Sequence, residues 1–267
     1  MDGQALVRGG ETMIVTTRYS GSEFDSRLQV LSAGGAICAL TLVLRLRLIR
    51  LDHKPAEDAA KPYQTRPWTN AEWANFVFRY RTIVERFWNN RFWLKPPVHF
   101  SDLDFATALA SAKYRPNVEC RLSLELVPNS GAPVHREIRV VCLTDTSPEM
   151  TSNAYFYDSR DVRLQRIADP KGRIHPHITA VHEVGHLLLG WDDHPGEGKY
   201  PECDFDPNAR ICYGNSKRET SDVLGYGLTF YDRHASPWRR RMGTHTNTPT
   251  SDWTVLRRFE PPELVVE

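Results

Sequence analysis

The chain has 267 residues, with 34 Lys+Arg against 33 Asp+Glu, a formal charge of +1 and 40% hydrophobic residues. This composition excludes a disordered chain, a collagen-like repeat and a polytopic membrane protein, and the balanced charge gives no global field to draw in nucleic acid or an anionic membrane. The length suits one large or two small domains, and the counts worth tracing are ten His and five Cys.

The first ten residues contain Asp2 and no apolar core, so no secretory signal is read there. The longest apolar run, Leu28 to Leu44, is interrupted by Arg45 and Arg47. From Leu40 to Leu48 every even position is Leu, which is the two-residue period of a strand rather than a membrane helix. Gly34-Gly35 then reads as the hairpin turn joining Ser26–Ser32 to this long strand. Residues 1–60 are therefore expected as a β-rich N-terminal segment.

Thr69 and Glu72 have capping-box spacing and open a helix with Trp73, Phe76, Val77, Tyr80, Val84 and Phe87 on one face. It should end near Asn90 and back a sheet. Two strand-like runs, 118–127 and 135–144, flank the turn Pro-Asn-Ser-Gly-Ala-Pro; a symmetric hairpin there would place Cys120 opposite Cys142. Cys203 and Cys212 form a second bridgeable pair around a short loop, which leaves Cys38 over. A short strand near 153–158 and a turn at Asp169–Gly172 follow. The next helix is expected from about Pro176 to Leu189, capped by Gly190. Beyond it the chain is irregular to about Ser221, and from Thr244 it reads as a Thr/Pro-rich, loosely held tail.

The chemistry concentrates in His182-Glu183-Val184-Gly185-His186. Two His four residues apart share one helix face, where their ring nitrogens can converge on one cation. Glu183 stands beside the first His, so its carboxylate can reach a water on that cation without ligating it. The bland alternative is a helix with two half-buried His. Gly190 turns the chain back just beyond, and Asp192, Asp193 and His194 follow as candidate third ligands.

This stretch resembles the zincin metallopeptidases, in particular the metzincin branch with its His-Glu-x-x-His-x-x-Gly-x-x-His or Asp pattern, closely over 179–195 and loosely over 70–240. Gly190 comes one residue late and His194 two, while Asp192 holds the numerical place of the third ligand. His194 is favoured because neutral imidazole suits zinc, with Asp193 next, then Asp192, and His234 as a further alternative. Asp222-Val223-Leu224-Gly225-Tyr226-Gly227 is similar to the family's Met-containing turn, with Leu224 at the Met place and Tyr226 at a Tyr that approaches the metal in some branches. Short motifs also look like the metallopeptidase domains of bacterial toxins and secreted effectors.

The resemblance implies an α+β, zincin-like fold: a mixed sheet with a backing helix and an active-site helix in a catalytic domain spanning 61–243, preceded by the β-rich segment and followed by the tail 244–267. It implies Zn2+ held by His182, His186 and a third residue, and peptide hydrolysis by a zinc-bound water that Glu183 activates, with Tyr226 at the oxyanion. The expected partner is a protein or peptide substrate, with no nucleic acid and no membrane span; a cognate inhibitor protein is a further candidate. Bridgeable cysteines without a signal suggest delivery outside the producing cell by a signal-independent route. Two rival readings are a catalytically silent metal-binding module and a metalloamidase acting on small or cell-wall peptides. Intact Glu183 argues against the first, since a purely structural site has no use for that carboxylate.

Overall fold

The structure, a computed structural model, describes residues 7–9, 12–32, 36–106, 112–128, 131–190, 195, 210–258 and 263–266. It is a mixed α+β fold. The chain divides into two compact units, one made of 1–44, 88–123 and 232–267 and the other of 45–87 and 124–231. The strand Ala36–Leu51 thus contributes its first half to one unit and its second half to the other.

In the first unit, Asp25–Ser32 and Ala36–Leu51 pair antiparallel in the register Ser32↔Ala36, as the hairpin reading requires; Gly34 and Gly35 lie outside the described residues. The Leu alternation points inward, with Leu40, Leu42 and Leu44 buried. The segment from Thr244 is better anchored than a loose tail. Thr254–Leu256 pairs antiparallel with Trp93–Lys95, and Trp253 is buried. The helix Ser236–Thr246 is fastened by Trp238, whose indole N–H donates to the Arg121 carbonyl at 2.8 Å while its ring meets Trp88 and Phe92. Aromatic side chains bury the largest areas, so three indoles in one unit (Trp88, Trp238, Trp253) supply much of its core.

His245 ties the same helix to the sheet. Its ring nitrogens meet the Thr17 hydroxyl at 2.6 Å and the Ser26 hydroxyl at 3.0 Å. Burial first, and then the Arg241 charge, pull its pKa down to about 4. Between that value and the ordinary 6.5 the unfolded chain binds a proton that the folded chain does not. The stability His245 contributes is therefore whole above pH 6.5 and falls as the pH drops towards 4. The expected loss is about 1–2 kcal/mol, because the ring is only partly shielded from solvent. Urea denaturation of the wild type and of His245→Gln between pH 7 and 4.5 checks this. A pH slope as steep in the variant as in the wild type would assign the acid sensitivity elsewhere.

In the second unit, residues 46–51 pair in parallel with Arg136–Leu143, which pairs in parallel with Phe156–Asp158 and antiparallel with Thr65–Arg66. Here the sequence expectation of a 118–144 hairpin fails. The two strands exist, Val118–Leu126 and Arg136–Leu143, but the long strand is the neighbour of both. Val127 N–H bonds to the Leu46 carbonyl and His135 N–H to the Arg45 carbonyl, each at 2.8 Å. Cys120 and Cys142 are accordingly not opposed, and both are buried free thiols, as is Cys38, whose pKa burial pushes up to about 12.

Helix α1 (Asn70–Trp88) backs this sheet. Its capping box is formed: Thr69 Oγ1 accepts from Glu72 N–H at 3.2 Å, and the Glu72 carboxylate accepts from Thr69 N–H at 2.9 Å. Phe76, Tyr80 and Val84 are buried beneath it, and the helix stops before Asn90, which takes the left-handed conformation at φ 57°. Further on, Gln165–Ala168 and Ile174–His177 form an antiparallel hairpin turned by Asp169 and Gly172. Because His177 still pairs in that hairpin, the motif helix starts at Thr179, later than the sequence pattern suggested. No helix among the described residues is long and apolar enough to cross a membrane.

Candidate metal centre

Helix α2 (Thr179–Leu189) is apolar apart from Thr179 and its motif residues, and every residue from Ala180 to Leu188 is buried. In a helix buried on all sides, ionisable side chains have to be paired or bind something. The chain reverses at Gly190, where φ is 98° and the backbone N–H bonds back to the His186 carbonyl at 2.9 Å. At the other end, Ala180 N–H bonds to the Asp161 carbonyl at 3.1 Å, which fixes where the helix begins.

The four-residue spacing brings Nε2 of His182 and Nε2 of His186 to 3.1 Å. His182 Nδ1 lies 2.8 Å from the Val223 carbonyl. A carbonyl only accepts, so Nδ1 carries the proton and Nε2 of the neutral ring is a bare lone pair. Two imidazole ligands on one tetrahedral cation stand about 3.3 Å apart, given metal–nitrogen distances near 2.0–2.1 Å. A Glu183 carboxylate oxygen completes the group, with all three ligand atoms within 4.8 Å of one another. The donor set therefore fits a divalent cation with a carboxylate close by.

Glu183 faces the interior. Burial first, and then the neighbouring Asp161, push its carboxyl well above the ordinary range. Asp161 is itself raised by burial and then by Asp158, and it accepts from the Ser152 hydroxyl at 2.6 Å and from Asp158 N–H at 2.7 Å. Tyr80 and Tyr157 pack edge to face in the same interior.

The turn 222–227 supplies the Val223 carbonyl. It is held by Gly225 N–H and Gly227 N–H on the Asp222 carbonyl at 2.9 and 3.1 Å, and by Val223 N–H on the Thr229 carbonyl at 2.9 Å. Leu224 is fully buried. Both glycines are dictated by close backbone approach: a Cβ at Gly227 would lie 2.2 Å from the Ser221 carbonyl oxygen, and one at Gly225 2.4 Å from that of Glu219. Gly227→Ala should destabilise the fold by about 1–3 kcal/mol. It should also weaken metal binding roughly 10–100-fold, by shifting the carbonyl that orients His182. Urea denaturation and chelator competition measure the two effects; an unchanged midpoint and affinity would mean that the turn does not set the His182 ring.

Tyr226 is half-buried; its ring is 5.4 Å from that of Tyr213, which is in turn 5.9 Å from the His182 ring. Tyr213 carries no motif and falls in the stretch read from sequence as irregular. His177 was also missed as a site residue, although its ring lies 5.2 Å from that of His182. Burial lowers its pKa to about 4, against the raising effect of the Tyr226 backbone, so it is a neutral imidazole at pH 7.

The other candidates fall elsewhere. Asp192, Asp193, His194 and Cys203 lie outside the described residues, while Cys212 is disulfide-bonded. His234 is buried in the turn Asp232–Ala235 of the first unit and does not join the His182, Glu183 and His186 group. Arg239 donates to the Thr250 carbonyl and Arg241 to the Phe24 carbonyl, so both serve packing within that unit. No protein-family model, curated protein or solved structure matches the chain.

Proposed function

We propose that the chain is a zinc-dependent metalloendopeptidase with a zincin-like catalytic centre. The observation that carries this reading is the 3.1 Å approach of two buried imidazole Nε2 atoms with a buried carboxylate in the same group. Nitrogen donors at that spacing suit zinc better than the oxygen-seeking Mg2+ or Ca2+. His182 and His186 hold the ion, and His194 is assigned the third position on donor chemistry, ahead of Asp193 and Asp192. Zinc at such a centre supplies Lewis acidity, which acidifies a water and polarises a carbonyl.

The remaining steps belong to the chain's own side chains. The Val223 carbonyl keeps the His182 ring in the tautomer that presents Nε2. Glu183 accepts the proton of the attacking water and returns it to the leaving amine. Its burial excludes competing solvent from that carboxylate. Tyr226 donates to the oxygen on which charge develops, and Tyr213 forms the aromatic wall beside it.

Cleavage of an unstructured protein such as casein by the full chain, abolished by chelation and restored by zinc, is the expected result. Cleavage that survives chelation would overturn the reading. Zinc uptake without cleavage of casein or of a peptide library would instead favour the silent binding module.

A further inference from the structure

A second polar concavity lies in the same unit, lined by none of the His182, Glu183 and His186 side chains. It is a cavity of about 110 Å³ bounded by α1, the end of the strand Arg136–Leu143 and the segment 159–163. That is room for several waters or one tetrahedral oxyanion. Its lining includes four guanidiniums, Arg66, Arg79, Arg160 and Arg163, against only two carboxylates, Glu72 and Asp145. A net positive cavity in a chain of formal charge +1 is a local accumulation that the composition does not explain.

Glu72 is already engaged by Arg66, at 3.0 and 2.6 Å, and by both the hydroxyl and the backbone N–H of Thr69. Arg160 is held by the carbonyls of Thr144 at 2.9 Å and Ser147 at 3.1 Å, which fix its plane, and its charge also acts on the Asp158 carboxyl. Arg79 and Arg163 make no side-chain hydrogen bond or ion pair among the described residues, although the field of Arg163 reaches Asp158. Asn75 stands one turn before Arg79 on the same face of α1 and lines the cavity with a further amide. The walls are stiff, since Trp68 and Phe76 pack at 5.4 Å between ring centroids and both are buried. What remains is a pocket rich in donors and poor in acceptors, which suits the fork geometry by which arginine takes a tetrahedral anion.

We propose that this cavity is an oxyanion-binding site that takes a phosphate or sulfate group, free in solution or carried on a larger ligand. It stands independently of the metal centre.

The test is calorimetric titration of inorganic phosphate and of sulfate into the full chain, at constant ionic strength and with a chelator present so that no metal takes part. The expected result is saturable binding of one anion per chain that chloride does not reproduce. It should weaken at least tenfold in the Arg79→Ala/Arg163→Ala variant. Both side chains are exposed, so the variant's unfolding temperature without phosphate should match the wild type. O-phosphoserine provides the second arm: tighter binding than phosphate identifies a group carried on a larger ligand, and equal binding identifies the free anion. Binding that does not saturate, that chloride reproduces, or that the double variant retains in full would overturn the proposal.

Discussion

Replacing Glu183 by glutamine is expected to leave zinc bound and abolish hydrolysis. The substitution is nearly isosteric, so the interior pocket in which the carboxyl sits keeps its volume, and it leaves the Nε2 atoms of His182 and His186 in place. What disappears is the carboxyl proposed to take up the water's proton and give it back. Loss of a general base costs roughly 10²–10⁴-fold in rate, while the zinc content stays at the wild-type level. Metal analysis and a casein assay on the same preparation separate the two effects. A glutamine variant that still cleaves would remove Glu183 from the mechanism, and one that loses zinc as well would make the carboxylate a ligand.

His182→Ala is expected to lose both metal and activity. It removes a donor atom and also leaves the Val223 carbonyl, a buried acceptor, without its partner; the second effect alone costs about 1–3 kcal/mol of stability. The loss of zinc affinity should exceed the roughly 10–100-fold that follows when only an outer hydrogen-bond partner is removed. His182→Asn offers an amide donor to Val223 and should recover part of the stability and none of the tight metal binding. Comparing the two variants by urea denaturation and zinc competition divides the role of the imidazole between its two nitrogens. Equal zinc affinity in wild type and both variants would exclude His182 as a ligand.

The parts of this molecule written in local spacing could be read in advance. The Thr69 and Glu72 box opens α1, the even-numbered leucines lie inward on one face of a strand, and His182 and His186 converge because four residues make about one helical turn. Strand pairing across long separations could not be read. The turn after Val127 suggested a simple hairpin, but residues 46–51 pair in parallel with 136–141, and a parallel pairing of that kind leaves no mark in the intervening turn. The start of α2 was misplaced for a related reason, since Pro176 and His177 are drawn into a hairpin whose other strand is Gln165–Ala168. Within the site, Tyr213 and His177 come from a short 3-10 turn and from a strand end, where no periodicity marks a residue as facing the His pair. Val223 escapes sequence reading altogether, because its contribution is a backbone carbonyl.

Zinc titration into the metal-stripped full chain, followed by calorimetry, tests the proposed centre most directly. One saturable site per chain with sub-micromolar affinity, lost in His182→Ala and kept in Glu183→Gln, is the expected result. No saturable binding, or binding of equal strength in wild type and His182→Ala, would contradict it.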